Sequence, residues 1–162
     1  MEIERKYTVK RLPDNPEAYP CKVIRQAYLN VSPVVRIRES NDSWFLTYKG
    51  EGLMTREEYN LPLDKASFLH LLEKADGNII SKKRYVIALE QPQFRAGFTP
   101  PPNLSLCIEL DVFDAPFAPL VMAEVEFPSV EAADAFIPPD WFDEDVTRNP
   151  AYHNSVMSQK IF

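Results

Sequence analysis

The chain of 162 residues contains only four glycines, two cysteines and two histidines. It has no long apolar run, and each shortage excludes something. No stretch approaches the roughly 20 consecutive apolar residues of a membrane-crossing helix. No apolar signal-type segment precedes Glu2, so the expectation is a cytoplasmic protein without a membrane partner. Cys21 and Cys107 do not have the spacing of a metal-ligand pair and read as free thiols in a reducing compartment. His70 and His153 are too few for a histidine-rich centre. A metal here would be held by carboxylates, which favours magnesium or manganese over zinc. Positive charge is also short, 18 Lys and Arg against 24 Asp and Glu for a net charge of −6. That argues against nucleic acid or an acidic membrane surface as main partner. A small anion remains open, because local charge can oppose the total.

Proline is abundant, with 15 residues. Pro13, Pro16, Pro20, Pro33, Pro62, Pro100 to Pro102, Pro116, Pro138 and Pro139 punctuate short elements. Between them the pattern mostly alternates, which predicts strands over 2–9, 22–31, 34–40, 43–49, 54–61, 79–90, 104–113 and 119–127. Residues 64–76 break the alternation. Phe68, Leu71 and Leu72 recur at helical spacing, Asp64 can cap the start and Gly77 can end it. A second helix fits 129–137, with Ser129 as cap and Pro138-Pro139 as stop, and a short third fits PAYHNSVMS near the C-terminus. The composition, 45% hydrophobic and 12% aromatic, supplies a core for one domain over 1–162. The expected class is α+β, mainly antiparallel β: eight strands closing on themselves, with a few helices packed outside.

The strands share a further pattern. Glu2, Glu4 and Lys6 alternate in EIERK; Arg36 and Arg38 in RIR; Lys49 ends FLTYK. Arg56 and Glu58 follow in TREEY, Lys82 and Arg84 in KKRY, Glu109 and Asp111 in IELD, and Glu124 and Glu126 in AEVE. Alternate residues of a strand point to one face. The intervening residues, such as Ile3 and Tyr7, Ile37, or Ala123 and Val125, are largely apolar. In an ordinary sheet the apolar face packs on the core and the charges face water. Two details favour the opposite arrangement. The charges sort by strand, two strands being basic and the last two acidic, whereas a solvated sheet tends to pair opposite signs. They also balance, with seven acids and seven bases. Lining a closed barrel, they would need a partner carrying both signs, since burying charge is costly unless it is paired. A metal-bound polyphosphate is such a partner.

In order and over essentially the whole chain, these doublets resemble the CYTH superfamily, also called triphosphate tunnel metalloenzymes, and in particular its short bacterial inorganic triphosphatases. The resemblance implies a closed eight-stranded tunnel with a charged interior that binds a triphosphate with Mg2+ or Mn2+. It implies that Glu2, Glu4, Asp111, Glu124 and Glu126 hold metal, with Glu58 and Glu109 supporting or holding a second ion. Lys6, Arg36, Arg38, Lys49, Arg56 and Arg84 would bind phosphate oxygens. Lys82, working with Tyr28, would activate water, or else serve as a further phosphate contact.

This chain departs from the family pattern at two places. Asn60 stands where a further glutamate usually follows Glu58. The C-terminal segment has His153 where lysines usually follow the tyrosine. A lid contact is then either lost or made by His153; otherwise both histidines read as surface or packing residues, and Trp44, Trp141 and Phe142 read as packing rather than base-stacking. Val34, two residues before Arg36, replaces the tryptophan that thiamine triphosphatases carry just before the arginine pair. The implied activity is metal-dependent hydrolysis of inorganic triphosphate, which needs no base pocket. The alternatives are a class IV-type adenylate cyclase or nucleoside triphosphatase, and a non-catalytic polyphosphate-binding module, which Asn60 keeps open. A homodimer is compatible with such a chain.

Overall fold

The computed structural model describes residues 1–162. Four strands fall where alternation places them: β1 (Glu2–Val9), β2 (Cys21–Val31), β3 (Val34–Ser40) and β4 (Ser43–Lys49). The expected strand 54–61 is broken at Glu57 into β5 (Thr55–Arg56) and β6 (Glu58–Leu63). Then follow β7 (Asp76–Leu89), β8 (Gln93–Phe94), β9 (Leu106–Phe113), β10 (Val121–Glu126), β11 (Phe136–Ile137) and β12 (Phe142–Asp145). Three helices complete the chain: α1 (Lys65–Leu72), α2 (Val130–Ala135) and α3 (Asn154–Met157).

All ladders are antiparallel, and the main sheet runs β12-β1-β10-β9-β7-β2-β3-β4-β6, with β5 paired back onto β1. The sheet is therefore a nearly closed barrel. Its seam is narrow: Glu2 faces Arg56 and Ile3 faces Thr55, and Glu4 N donates to Met54 O at 3.0 Å. The break at Glu57 is where the chain passes from β1 to β4, since Gly50 N donates to Glu57 O at 3.0 Å. Gly52 makes the preceding turn possible. Its φ is +131°, and a Cβ there would lie 2.1 Å from Thr55 O.

The helices cover the outside. Asp64 caps α1, accepting from Ser67 N at 2.7 Å. Phe68 is fully buried with Ala27 and Ile37, flanked by Trp44, Leu46, Leu71 and Leu72; burying that ring contributes about 1.5–3 kcal/mol. The helix ends at Leu72 rather than at 76. Gly77 is not its stop but part of β7, at φ +73°, where a Cβ would lie 2.3 Å from Ser158 O. Its missing side chain lets the C-terminal segment press against β7. There Asn78 N and Nδ2 donate to Ser158 O at 2.6 and 3.1 Å.

Ser129 caps α2, accepting from Ala132 N at 3.1 Å. Ala132 and Ala133 join Tyr7, Leu110, Val125 and Phe136 in the largest core cluster, where Trp141 and Phe142 also pack. A third cluster sits inside. Tyr28, Val34, Ile80, Phe113 and Met122 pack with Val146 and Met157. These strand residues share the parity of the interior charges, so the inward face turns apolar toward one end, where the C-terminal segment covers it.

Candidate active site

Of the fourteen alternating charges, all but Asp111 line two cavities of ≈ 700 and ≈ 790 Å³ that share Glu2, Arg36, Arg38, Glu58, Arg84 and Glu109. Strand register explains their order. Lys6 faces Glu124, Arg84 faces Asp111, Lys49 faces Glu58 and Glu2 faces Arg56. Two pairs have like sign: Glu4 opposite Glu126 and Glu109 opposite Glu124. Like charges directly opposite destabilise a sheet. Burial and Glu124 accordingly raise the Glu4 pKa, and burial with Glu109, Glu4 and Glu58 raises that of Glu126.

Asp111 lies behind this wall, fully buried. Its oxygens accept from Arg84 Nε at 2.7 Å, Arg84 Nη2 at 2.8 Å and Lys82 Nζ at 2.7 Å. The family resemblance implies a metal ligand at Asp111; in this structure it anchors two cations, with both oxygens engaged. Arg84, expected on phosphate, also donates to Glu109 at 2.9 Å and Glu124 at 3.3 Å. It is therefore tied to three carboxylates.

Lys82 is buried, and its Nζ donates to Asn154 Oδ1 at 3.1 Å as well as to Asp111. Burial, with Arg84 and Arg38 nearby, pushes its pKa down to about 7 against the pull of Asp111 and Glu124. Tyr28 also lines the cavity. It bonds to Gln26, whose Nε2 donates to its hydroxyl at 3.2 Å.

Near the seam, Lys49 Nζ lies 2.9 Å from Glu2 and 3.6 Å from Glu58. Burial, the hydrogen bond with Glu58 and the charge of Glu4 raise Glu2 to about 8. Burial works against ionising Glu58 too, but its bond with Glu2 and the charge of Lys49 bring it to about 2. The two carboxylates thus share one proton. Two polar atoms inside the barrel are buried without a hydrogen-bond partner, Arg36 Nε and Glu58 Oε2. The first needs an acceptor; the second has the Lys49 ammonium 3.6 Å away and no hydrogen bond, which leaves it able to meet a further cation.

His153 lines the central cavity with Asn154, Ser155 and Thr147, so it is neither a surface nor a plain packing residue. Burial and the charges of Lys6, Arg56 and Lys49 lower its pKa to about 4. His70 is exposed, as expected. Asn60 accepts from Thr47 Oγ1 at 2.5 Å and donates to Glu58 Oε1 at 3.0 Å. It orients Glu58 without adding charge. The sequence reading missed Gln26, Thr147, Asn154 and Ser155, which carry no charge. The one available signal was the parity of Gln26 with Tyr28.

No three carboxylates lie close enough together to ligate one ion in this arrangement. The donor set nevertheless suits a hard divalent cation. It is all carboxylate oxygen, Glu4 and Glu126 repel one another, and Glu58 Oε2 accepts no hydrogen bond.

A nearly closed antiparallel barrel carrying alternating acids and bases on its inner face is a tunnel-like fold, and comparison with known proteins gives its family. Residues 1–133 match the family model for the CYTH domain, and the chain belongs to that family. It is similar to an inorganic triphosphatase of Nitrosomonas europaea, 38% identical over 99% of this chain and 98% of that protein. It is also similar to an inorganic triphosphatase of Acetivibrio thermocellus, 34% identical over 95% of this chain and 90% of that one. A crystal structure of an inorganic triphosphatase superposes with a TM-score of 0.67 at 34% identity, covering 99% of this chain and 96% of the other. A protein from Pyrococcus furiosus shares the fold alone, with a TM-score of 0.55 at 14% identity over 83% of each chain.

Proposed function

We propose that this chain is a divalent-metal-dependent hydrolase of inorganic triphosphate. The observation that carries the reading is the cavity wall. Lys6, Arg36, Arg38, Lys49 and Arg56 face the same cavity as Glu2, Glu4, Glu58, Glu109 and Glu124, and only Tyr28, Val34 and Leu53 among its 19 lining residues are apolar or aromatic. Such a wall offers phosphate oxygens many charge-assisted donors and offers a purine or thiazole ring almost nothing. The names of the two relatives support the same substrate.

In this reading the five cations bind and orient the triphosphate, with the free Arg36 Nε as one donor. Glu2, Glu4, Glu58, Glu109, Glu124 and Glu126 would hold Mg2+ or Mn2+. The ion, when bound, neutralises phosphate charge and polarises the phosphoryl group. Lys82 is the general base. With its pKa near 7, a neutral amine is present at physiological pH to take a proton from the attacking water. The new bond joins the water oxygen to the terminal phosphorus. The bond from that phosphorus to its bridging oxygen breaks, leaving orthophosphate and pyrophosphate. Tyr28 accepts from Gln26 and so keeps its own hydroxyl proton free to orient water.

A second reading, turnover of a nucleoside triphosphate, draws on Ile24 and Phe45, the apolar side chains of the adjoining cavity. One experiment separates the two. Phosphate release is measured from inorganic triphosphate, ATP and thiamine triphosphate with Mg2+, Mn2+ or EDTA, while cyclic AMP is followed. Rapid release from inorganic triphosphate that EDTA abolishes supports the hydrolase. Cyclic AMP with pyrophosphate replaces it with a cyclase, and tight triphosphate binding without product leaves a binding module.

A further inference from the structure

Between the proposed base and the phosphate-facing arginines lies a side chain that the charge pattern does not reveal. Gln26 is completely buried. It sits on β2, two residues before Tyr28, and faces Arg38 across the ladder. Its Oε1 accepts from Arg38 Nε at 2.8 Å. Its Nε2 donates to Tyr28 Oη and to Asn154 Oδ1, both at 3.2 Å. The same Asn154 oxygen accepts from Lys82 Nζ at 3.1 Å. Arg38 can only donate, so the Gln26 oxygen must face it and the amide hydrogens must face Tyr28 and Asn154. That polarity has two results. Tyr28 receives a hydrogen bond and is left free to donate its own. Asn154 presents an oxygen, not an NH2, to Lys82.

We propose that Gln26 and Asn154 are positioning residues of the hydrolytic step. They tie Lys82, Tyr28 and Arg38 into one hydrogen-bonded unit and fix the direction in which the Lys82 amine points. Lys82 has two hydrogen-bond acceptors from different parts of the chain, Asp111 on β9 and Asn154 at the start of α3. With N–H groups given to both, the remaining tetrahedral direction of the nitrogen is determined. A single acceptor would leave the amine free to rotate about its last bond. A fully satisfied buried amide adds little more stability than an apolar side chain of its size. Its worth lies in holding three groups from three elements at fixed angles. Asn154 thereby brings the C-terminal segment into the reaction through Lys82 rather than through substrate.

The inference rests on the hydrolase reading with Lys82 as base, and the test keeps the two apart. Turnover of inorganic triphosphate with saturating Mg2+ is compared in the full chain and in Asn154→Ala, Asn154→Asp, Gln26→Glu and Lys82→Met. Asn154→Ala removes the acceptor, and kcat should fall about 10- to 100-fold, the range for one hydrogen bond to a charged group. KM should stay within about threefold, since Asn154 orients the base and not the phosphate. Asn154→Asp keeps an oxygen for Lys82 and for Gln26. It should recover most of the lost kcat only at higher pH, because its charge raises the Lys82 pKa, and it should raise KM, because it adds a negative charge beside an anionic substrate. Gln26→Glu keeps the acceptor for Arg38 but donates to neither Tyr28 nor Asn154, and should lower kcat as Asn154→Ala does. Thermal unfolding of each variant, and the triphosphate affinity read by calorimetry, separate slow turnover from loss of folded protein. An Asn154→Ala enzyme with kcat within twofold of the native chain overturns the inference, and so does an Asn154→Asp enzyme that stays as slow as the alanine variant when the pH is raised to about 9. If Lys82→Met retains turnover, the base assignment itself fails. If Lys82→Met is inactive while Asn154→Ala and Gln26→Glu are not slowed, the inference alone fails.

Discussion

Replacing Lys82 by methionine removes the amine at nearly constant length and tests the central electrostatic claim. In the folded chain burial, Arg84 and Arg38 hold the Lys82 pKa at about 7, against an ordinary value of 10.5. Between those two values the unfolded chain carries a proton that the folded chain does not. Stability therefore rises with pH across the window, by about 1.4 kcal/mol per unit and about 5 kcal/mol over the whole span. Below about pH 7 both states hold the proton and the slope vanishes. The methionine variant has no such group. The difference in unfolding free energy between the native chain and Lys82→Met should be flat below about pH 6.5 and should grow by about 1.4 kcal/mol between about pH 7.5 and 8.5. Ionisations common to both proteins cancel in this difference. Asp111 stays paired with Arg84 in the variant, so its own titration remains far below the window. Urea denaturation at each pH, without metal, reads the quantity directly. The same ionisation should govern the rate, with kcat/KM falling about tenfold per unit below about pH 7. A free-energy difference independent of pH across this range would show that Lys82 keeps its proton as an ordinary ion pair with Asp111, and would refute its role as base.

Three further perturbations separate function from stability. Glu126→Gln removes the like-charge opposition to Glu4; the empty protein should gain up to about 1 kcal/mol, while half-maximal activation should need more Mg2+. Arg36→Met removes a buried guanidinium whose Nε has no partner. Stability in denaturant should change by about 1 kcal/mol or less, and KM for triphosphate should rise about tenfold or more. Gly77→Ala places a Cβ against Ser158 O at positive φ. It should cost about 1–3 kcal/mol and speed amide exchange in residues 154–160, because Asn78 holds Ser158 and Lys160. Unchanged exchange there would mean that β7 does not hold the segment.

The barrel was legible because alternation is a local property. Once Glu2, Glu4 and Lys6 share a face, every later doublet repeats the same two-residue spacing, and antiparallel register brings them together. The break at Glu57 was not legible, since Arg56, Glu58 and Asn60 keep one parity across it and only the change of neighbour divides the two strands. Strands β8, β11 and β12, of two to four residues, are too short to show a period. Parity also says nothing about depth. Asp111 and Glu109 point the same way, yet one is sealed behind Lys82 and Arg84 and the other lines the cavity. Asn154 reaches Lys82 across 72 positions of chain, beyond the residues that match the family model. A neutral side chain so placed leaves no trace in a pattern of charges.

The balance of seven acids and seven bases has a consequence for how a ligand arrives. Their formal charges cancel, so the formal net charge of −6 belongs to the rest of the molecule. A bare polyanion diffusing toward the protein meets a repulsive far field, whereas the same anion already complexed with a divalent cation carries two fewer charges and meets a weaker one. Encounter thus discriminates by speciation before any contact forms. Added electrolyte, by shortening the reach of the outer field to about 8–10 Å, should leave association unchanged or hasten it, the reverse of what a basic binding groove would show.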